Sequence, residues 1–182
     1  MQTPHQILGP FFPLGLRPAT QGDLTIVKGA GGHAQGEIIE LTGRVLDDKG
    51  NPVPGARLTI WQANTFGRYA HPNDLNPAPL DPGFEGFATI QAGNDGVYRI
   101  RTVKPGPYSV GPDWMRAPHI HFEVQGQFER LITQMYFPGE PLNASDRLLM
   151  SVAEPDLLIA RPLRHTDGHH QMLEFDIILA RG

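Results

Sequence analysis

The chain contains no cysteine, which excludes disulfides, a thiolate nucleophile and the sulfur ligands of structural zinc or iron-sulfur sites. Any metal bound here must take nitrogen and oxygen donors. Long apolar runs are missing as well: no stretch of about 18 apolar residues is present, and residues 1–16 show no basic cluster followed by an apolar segment. The expectation is a soluble, unexported, cytoplasmic protein with no membrane partner. Nor is there an excess of basic charge, since 15 Lys and Arg stand against 19 Asp and Glu for a formal net charge of -4. Without a basic surface to release counterions from a polyanion, nucleic acid is not an expected partner.

What the chain has in quantity is glycine and proline, 21 and 18 of its 182 residues. Both are disfavoured inside helices and concentrated in turns, so the composition points to many short strands joined by shaped loops. One domain fits the length. Residues 1–36 lack periodicity and are expected to form an extended N-terminal arm that wraps the domain or a partner subunit, leaving residues 37–182 as the folded domain. Period-two alternation predicts strands over residues 37–48 and 57–63, and a hairpin over 87–91 and 97–103 around the Gly-Asn-Asp-Gly turn at 93–96. Residues 64–86 carry Pro72, Pro77, Pro79 and Pro82 and are expected to be a long functional loop. A second proline-rich loop is expected over 104–118, then strands over 119–125 and 130–137, a short helix over 156–161 and a last strand over 172–179. The predicted class is all-β, of mainly antiparallel strands.

In the strand Ala-Pro-His-Ile-His-Phe-Glu-Val, His119, His121 and Glu123 share one face while Ile120, Phe122 and Val124 share the other. Two imidazoles side by side on a strand suit a single cation, although the same pattern also describes surface or hydrogen-bonded histidines. Arg116 and Tyr108 lie just upstream, so a cation, a phenol and two imidazoles share one short stretch. A phenol has an unperturbed pKa near about 10, and only a strong Lewis acid such as ferric ion keeps it ionised at neutral pH. Tyr108 and Tyr69 are equally readable as loop tyrosines packed on proline. His165, His169 and His170 surround Thr166-Asp167-Gly168 and read as a solvated turn with no assigned role.

Five segments, at residues 43–74, 78–84, 98–108, 116–124 and 130–142, together resemble the intradiol ring-cleavage dioxygenases, with motifs in that family's order. The opening His-Gln-Ile-Leu-Gly-Pro-Phe-Phe-Pro is similar as well. The resemblance implies a β-sandwich that uses dioxygen to open a catechol-type ring into a cis,cis-muconate-type diacid. It implies a non-haem ferric ion, Fe(III), held by Tyr69, Tyr108, His119 and His121, with Tyr108 and Arg116 acting on the substrate. It also implies that Arg116, Gln134 and Trp61 line or support the substrate site. Within the family the length matches the protocatechuate branch and its iron-holding subunit type, with a homo-oligomer expected and catechol or hydroxyquinol as alternative substrates. Ser109 and Val110 stand where many relatives carry Pro-Trp, and the segment from Tyr108 to the histidines is shorter than in the protocatechuate enzymes. Two other readings are a cupin-like metalloprotein, with Glu123 as an extra ligand, and a non-catalytic transthyretin-like binding sandwich.

Overall fold

The computed structural model describes residues 1–15, 22–29, 32–163 and 170–181. Its first strand, β1 (Ile38–Leu46), alternates buried and exposed positions and pairs antiparallel with β4 (Val97–Val103). On its other edge β1 pairs in parallel with β10 (Gln171–Glu174) and then β11 (Ile177–Ile178), and β9 (Arg161–Pro162) extends β10. The second sheet is antiparallel throughout, in the order β3 (Phe87–Gln91), β2 (Arg57–Trp61), β7 (His119–Gln125), β8 (Arg130–Tyr136). A separate hairpin joins β5 (Tyr108–Gly111) to β6 (Trp114–Arg116).

One hydrophobic core fills the space between the sheets. Ile39, Leu41, Tyr98, Ile100 and Leu173 reach it from the first sheet, and Leu58, Ile60, Ile120, Phe122, Val124, Leu131 and Met135 from the second. Tyr98 and Phe175 both touch the ring of Phe122 across the interface. Burial of these apolar faces is the main stabilising term, at roughly 25 cal/mol per Å² removed from water. The result is the sandwich that the family resemblance implies, built from the strands that the alternation predicts.

Three local expectations need correction. Residues 104–118 are not a bare loop: Pro105, Pro107 and Pro112 punctuate the segment, yet the β5–β6 hairpin forms between and beyond them. The helix expected at 156–161 is a 3-10 turn at Pro155–Leu158 followed by β9, because Ile159 turns extended and bridges to Tyr136. The last strand is split at Phe175 and Asp176, where Phe175 N–H donates to Thr42 O and the Tyr98 hydroxyl donates to Phe175 O. Among the described residues no helix is long and apolar enough to cross a membrane.

Residues 1–15 run beside β8. Gln6 N–H donates to Ile132 O, Thr133 Oγ1 donates to Pro4 O and Gln134 Nε2 donates to Ile7 O. Further along, Leu24 enters the core itself.

Gly43 in β1 lies against the split in the last strand, and a Cβ there would overlap the Phe175 carbonyl and meet the Tyr98 ring. Gly43→Ala is therefore expected to lower the unfolding free energy by on the order of 3 kcal/mol. Gly111→Ala, whose Cβ meets nothing within 4 Å, is expected to move it by under about 0.5 kcal/mol. Urea unfolding of both variants measures the difference.

Candidate active site

Strand register builds the site. Antiparallel pairing sets Trp61, His121 and Gln134 in one row across β2, β7 and β8, and His119 beside Tyr136 in the next. Ile60, Ile120, Phe122 and Met135, their alternates along the strands, point into the core, so these five project from the opposite face of the sheet. That face is nevertheless dry: all five are buried. Leu8, Phe11 and Phe12 from residues 1–15 pack over Trp61, Tyr69 and Tyr108, with Phe12 edge-on to Trp61 and the Phe11 ring 4.6 Å from Tyr69. Gly9 passes close enough that a Cβ would sit 3.4 Å from His121 Cε1.

Tyr69 arrives from the 64–86 segment, which has no strand but is ordered by side-chain caps. Asn64 Oδ1 accepts from Phe66 N–H and Arg68 N–H, and Asp74 Oδ2 accepts from Tyr69 N–H at 2.7 Å. Short polar side chains that bond the backbone nearby hold such a loop in one shape without a sheet ladder. Tyr108 opens β5 and pairs across the hairpin with Arg116.

The four donors converge. Tyr69 Oη lies 3.1 Å from His121 Nε2 and 3.5 Å from His119 Nε2, and the two Nε2 atoms are 3.2 Å apart. The Tyr108 ring stands edge-on to Tyr69 at 5.5 Å between centroids and lies 5.6 Å from His119. His119 Nδ1 donates to Ala117 O at 2.6 Å, which leaves its Nε2 as a lone-pair donor facing the cluster. His121 is stacked on Trp61 at 4.8 Å and 12°.

Burial shapes the electrostatics of these groups. It pushes the Tyr69 phenol well above its usual pKa, with Tyr108 adding to the shift and Arg116 opposing it. The Tyr108 phenol is raised by burial too, again against Arg116. Burial and then Arg116 bring the His119 imidazole down to about 3, and burial, His119 and Arg116 hold His121 well below its usual value. Both imidazoles are thus neutral and able to ligate at neutral pH, while the phenols ionise only against a strongly charged cation.

The donor set fits a ferric ion. Atoms about 2.0–2.1 Å from one ion and roughly 90–110° apart are about 2.8–3.4 Å from each other, and the separations of 3.1, 3.2 and 3.5 Å fall at or near that range. Phenolate and imidazole suit a hard trivalent metal. Among the described residues no group of three or more His, Asp or Glu is placed to hold a metal ion, and the groups that face the two histidines here are phenols. Glu123 shares the face of the histidines but is taken by Arg130 Nε at 2.5 Å, so the carboxylate that a cupin-like centre needs is committed elsewhere.

Arg116 is buried beside this cluster. Its Nε donates to Asp146 Oδ2 at 2.8 Å, and one Nη donates to Gln134 Oε1 at 2.7 Å and to the Tyr136 hydroxyl at 3.0 Å. All seven side chains named from the sequence, Trp61, Tyr69, Tyr108, Arg116, His119, His121 and Gln134, therefore meet in one region. Sequence reasoning missed Asp146, Tyr136, Phe11 and Phe12. The alternation of β8 carries a signal for Tyr136, two residues beyond Gln134, whereas nothing in the sequence around Asp146 marks it. His165 and His169 lie outside the described residues, and His170 is partly exposed just before β10.

Comparison with known proteins bears on the family. A family model described as Dioxygenase matches residues 7–181. The beta chain of protocatechuate 3,4-dioxygenase from Burkholderia cepacia is 45% identical over 165 residues, covering 86% of this chain and 70% of that one. Its alpha chain is 36% identical over 190 residues, covering 97% and 91%. Among solved structures, the dioxygenase domain of a carbohydrate-binding fusion protein from Streptomyces sp. SirexAA-E superposes with a TM-score of 0.75 at 27% identity, each chain covered in full. From Ile7 to Arg181 the sequence and the sandwich agree on one assignment: the chain belongs to the intradiol ring-cleavage dioxygenases.

Proposed function

We propose that this dioxygenase holds one non-haem ferric ion with Tyr69, Tyr108, His119 and His121 and that its substrate is a catechol of the protocatechuate type. The observation that carries the metal assignment is the buried triangle of Tyr69 Oη, His119 Nε2 and His121 Nε2, with sides of 3.1 to 3.5 Å. The substrate class rests on the 45% identity to the protocatechuate beta chain. Similarity to both the beta and the alpha chain of that enzyme supports a homo-oligomer in which one sequence serves both places.

When bound, ferric ion supplies Lewis acidity toward the catechol oxygens and the redox chemistry that lets dioxygen open the ring between them to a cis,cis-muconate-type diacid. The chain's own groups handle protons, charge and water. Tyr108 is the less buried phenol, 8% exposed against 3% for Tyr69, and its Oη takes a proton from the incoming catechol. Tyr69, sealed under Phe11, keeps its place. Arg116, fixed on two sides by protein acceptors, sets its positive charge against the negative charge that builds on the substrate. Gln134 holds that guanidinium, and Trp61 stacks on His121 and excludes water from the ligand's outer side.

The removal of Tyr108 is expected to separate binding from chemistry. Tyr108→Phe should keep iron while its kcat falls by about 100-fold or more, the range for loss of a proton-transfer group. His121→Ala should lose the metal. Iron analysis and steady-state rates check both, and wild-type turnover by either variant contradicts the assignment.

Anaerobic titration of the iron-loaded protein with protocatechuate, catechol and hydroxyquinol is expected to perturb its visible absorption, with protocatechuate binding tightest. Admission of air should then yield only products cleaved between the two hydroxyls. Cleavage outside them, or catechol preferred over protocatechuate, contradicts the ferric mechanism or the substrate class respectively.

A further inference from the structure

Asp146 sits outside every strand, in the turn after the 3-10 segment Pro141–Ser145, and is fully buried. Its two carboxylate oxygens do different jobs. Oδ1 accepts from Leu148 N–H and Leu149 N–H at 3.0 Å each, closing the local turn, with the Tyr136 hydroxyl more distant at 3.4 Å. Oδ2 accepts from Arg116 Nε at 2.8 Å and from Ala117 N–H at 3.0 Å. The carbonyl of that same Ala117 accepts from His119 Nδ1. A carboxylate needed only to cap the turn would use one oxygen and leave the other to water. Here the second oxygen is spent on the strand that leads into the histidines.

We propose that Asp146 is a positioning residue of the ring-cleavage reaction, setting the Arg116 guanidinium in the plane and at the depth from which it meets the charge developing on the substrate. The inference rests on the role given to Arg116 above. Arginine is a planar fork whose direction is defined when two of its edges are held. Asp146 holds the Nε edge, and Gln134 with Tyr136 holds one Nη. The other Nη has no hydrogen-bond partner among the described residues and is the donor available to a ligand. A one-ångström displacement of such a group has a large effect on rate, because an oriented charge acts only where the transition state develops its own.

Asp146→Asn tests this. Each oxygen of Asp146 accepts from two N–H groups, so an amide nitrogen at either place sets donor against donor and disturbs the Arg116 contact or the turn. With iron content per chain and the visible absorption of the substrate-free protein retained, kcat/KM is expected to fall by about 100-fold. Arg116→Gln should cause a similar fall, and the double variant should be no worse than the poorer single one, since both act through one contact. Asp146→Glu keeps the charge but moves it by one methylene; it is expected to fold, keep its iron and lose at least about tenfold in kcat, which carries the test if Asp146→Asn does not fold. Wild-type turnover by a folded Asp146 variant overturns the inference, as do losses that multiply in the double variant or that follow iron loss in every variant. If Arg116→Gln retains full activity, the role of Arg116 fails and this inference with it. If Arg116→Gln is impaired and the Asp146 variants are not, this inference falls alone.

Discussion

The burial of two imidazoles and two phenols around a common point is the constraint on which the rest of this molecule turns. In a dry pocket such groups need partners, and the ones at hand are mainly one another. His119 spends its only ring proton on Ala117, so its Nε2 faces the cluster as a bare lone pair beside His121 Nε2 and Tyr69 Oη. Burial keeps the imidazoles neutral and resists ionisation of the phenols. The ferric ion proposed for this site would relieve all of this at once, accepting the lone pairs and favouring the phenolates.

The fold serves that constraint through register. A slip of one residue between β2, β7 and β8 would turn His119, His121, Gln134 and Trp61 toward the core and expose Phe122 and Ile120. The core therefore specifies the site, since the same alternation that buries the apolar face presents the polar one. What keeps the polar face dry is the N-terminal segment, whose Phe11 and Phe12 cover Tyr69 and Trp61. Its backbone is tied to β8 by hydrogen bonds from Gln6 and Gln134 and to Pro4. Arg116 enters this enclosure paired with Asp146, whose second oxygen accepts from both Arg116 Nε and Ala117 N–H, and the pair is therefore not left uncompensated in the interior.

Much of this was readable in advance, and the reasons differ by residue. The two histidines stand out because strand alternation is a local property, visible in eight consecutive letters. The bounds of β3 and β4 follow from the turn chemistry at residues 93–96. Tyr69 and Tyr108 required the family resemblance, because a loop tyrosine carries no local mark of what it faces. The β5–β6 hairpin was hidden by its prolines, which read as loop although they fall at places where no ladder hydrogen bond is needed. Asp146 was out of reach altogether: the partners that tie it to the site, Arg116 and Ala117, lie 30 and 29 residues upstream, and the packing of the 3-10 segment at Pro141–Ser145 against β6 brings them to it.

The most direct measure of the central claim is resonance Raman spectroscopy of the iron-loaded protein, excited in its visible absorption. The account predicts one ferric ion per chain and phenolate vibrations from two tyrosines, of which those of Tyr69 disappear in Tyr69→Phe and those of Tyr108 in Tyr108→Phe. A protein that turns over with its iron showing no phenolate vibrations, or whose spectrum survives both substitutions together, would contradict it.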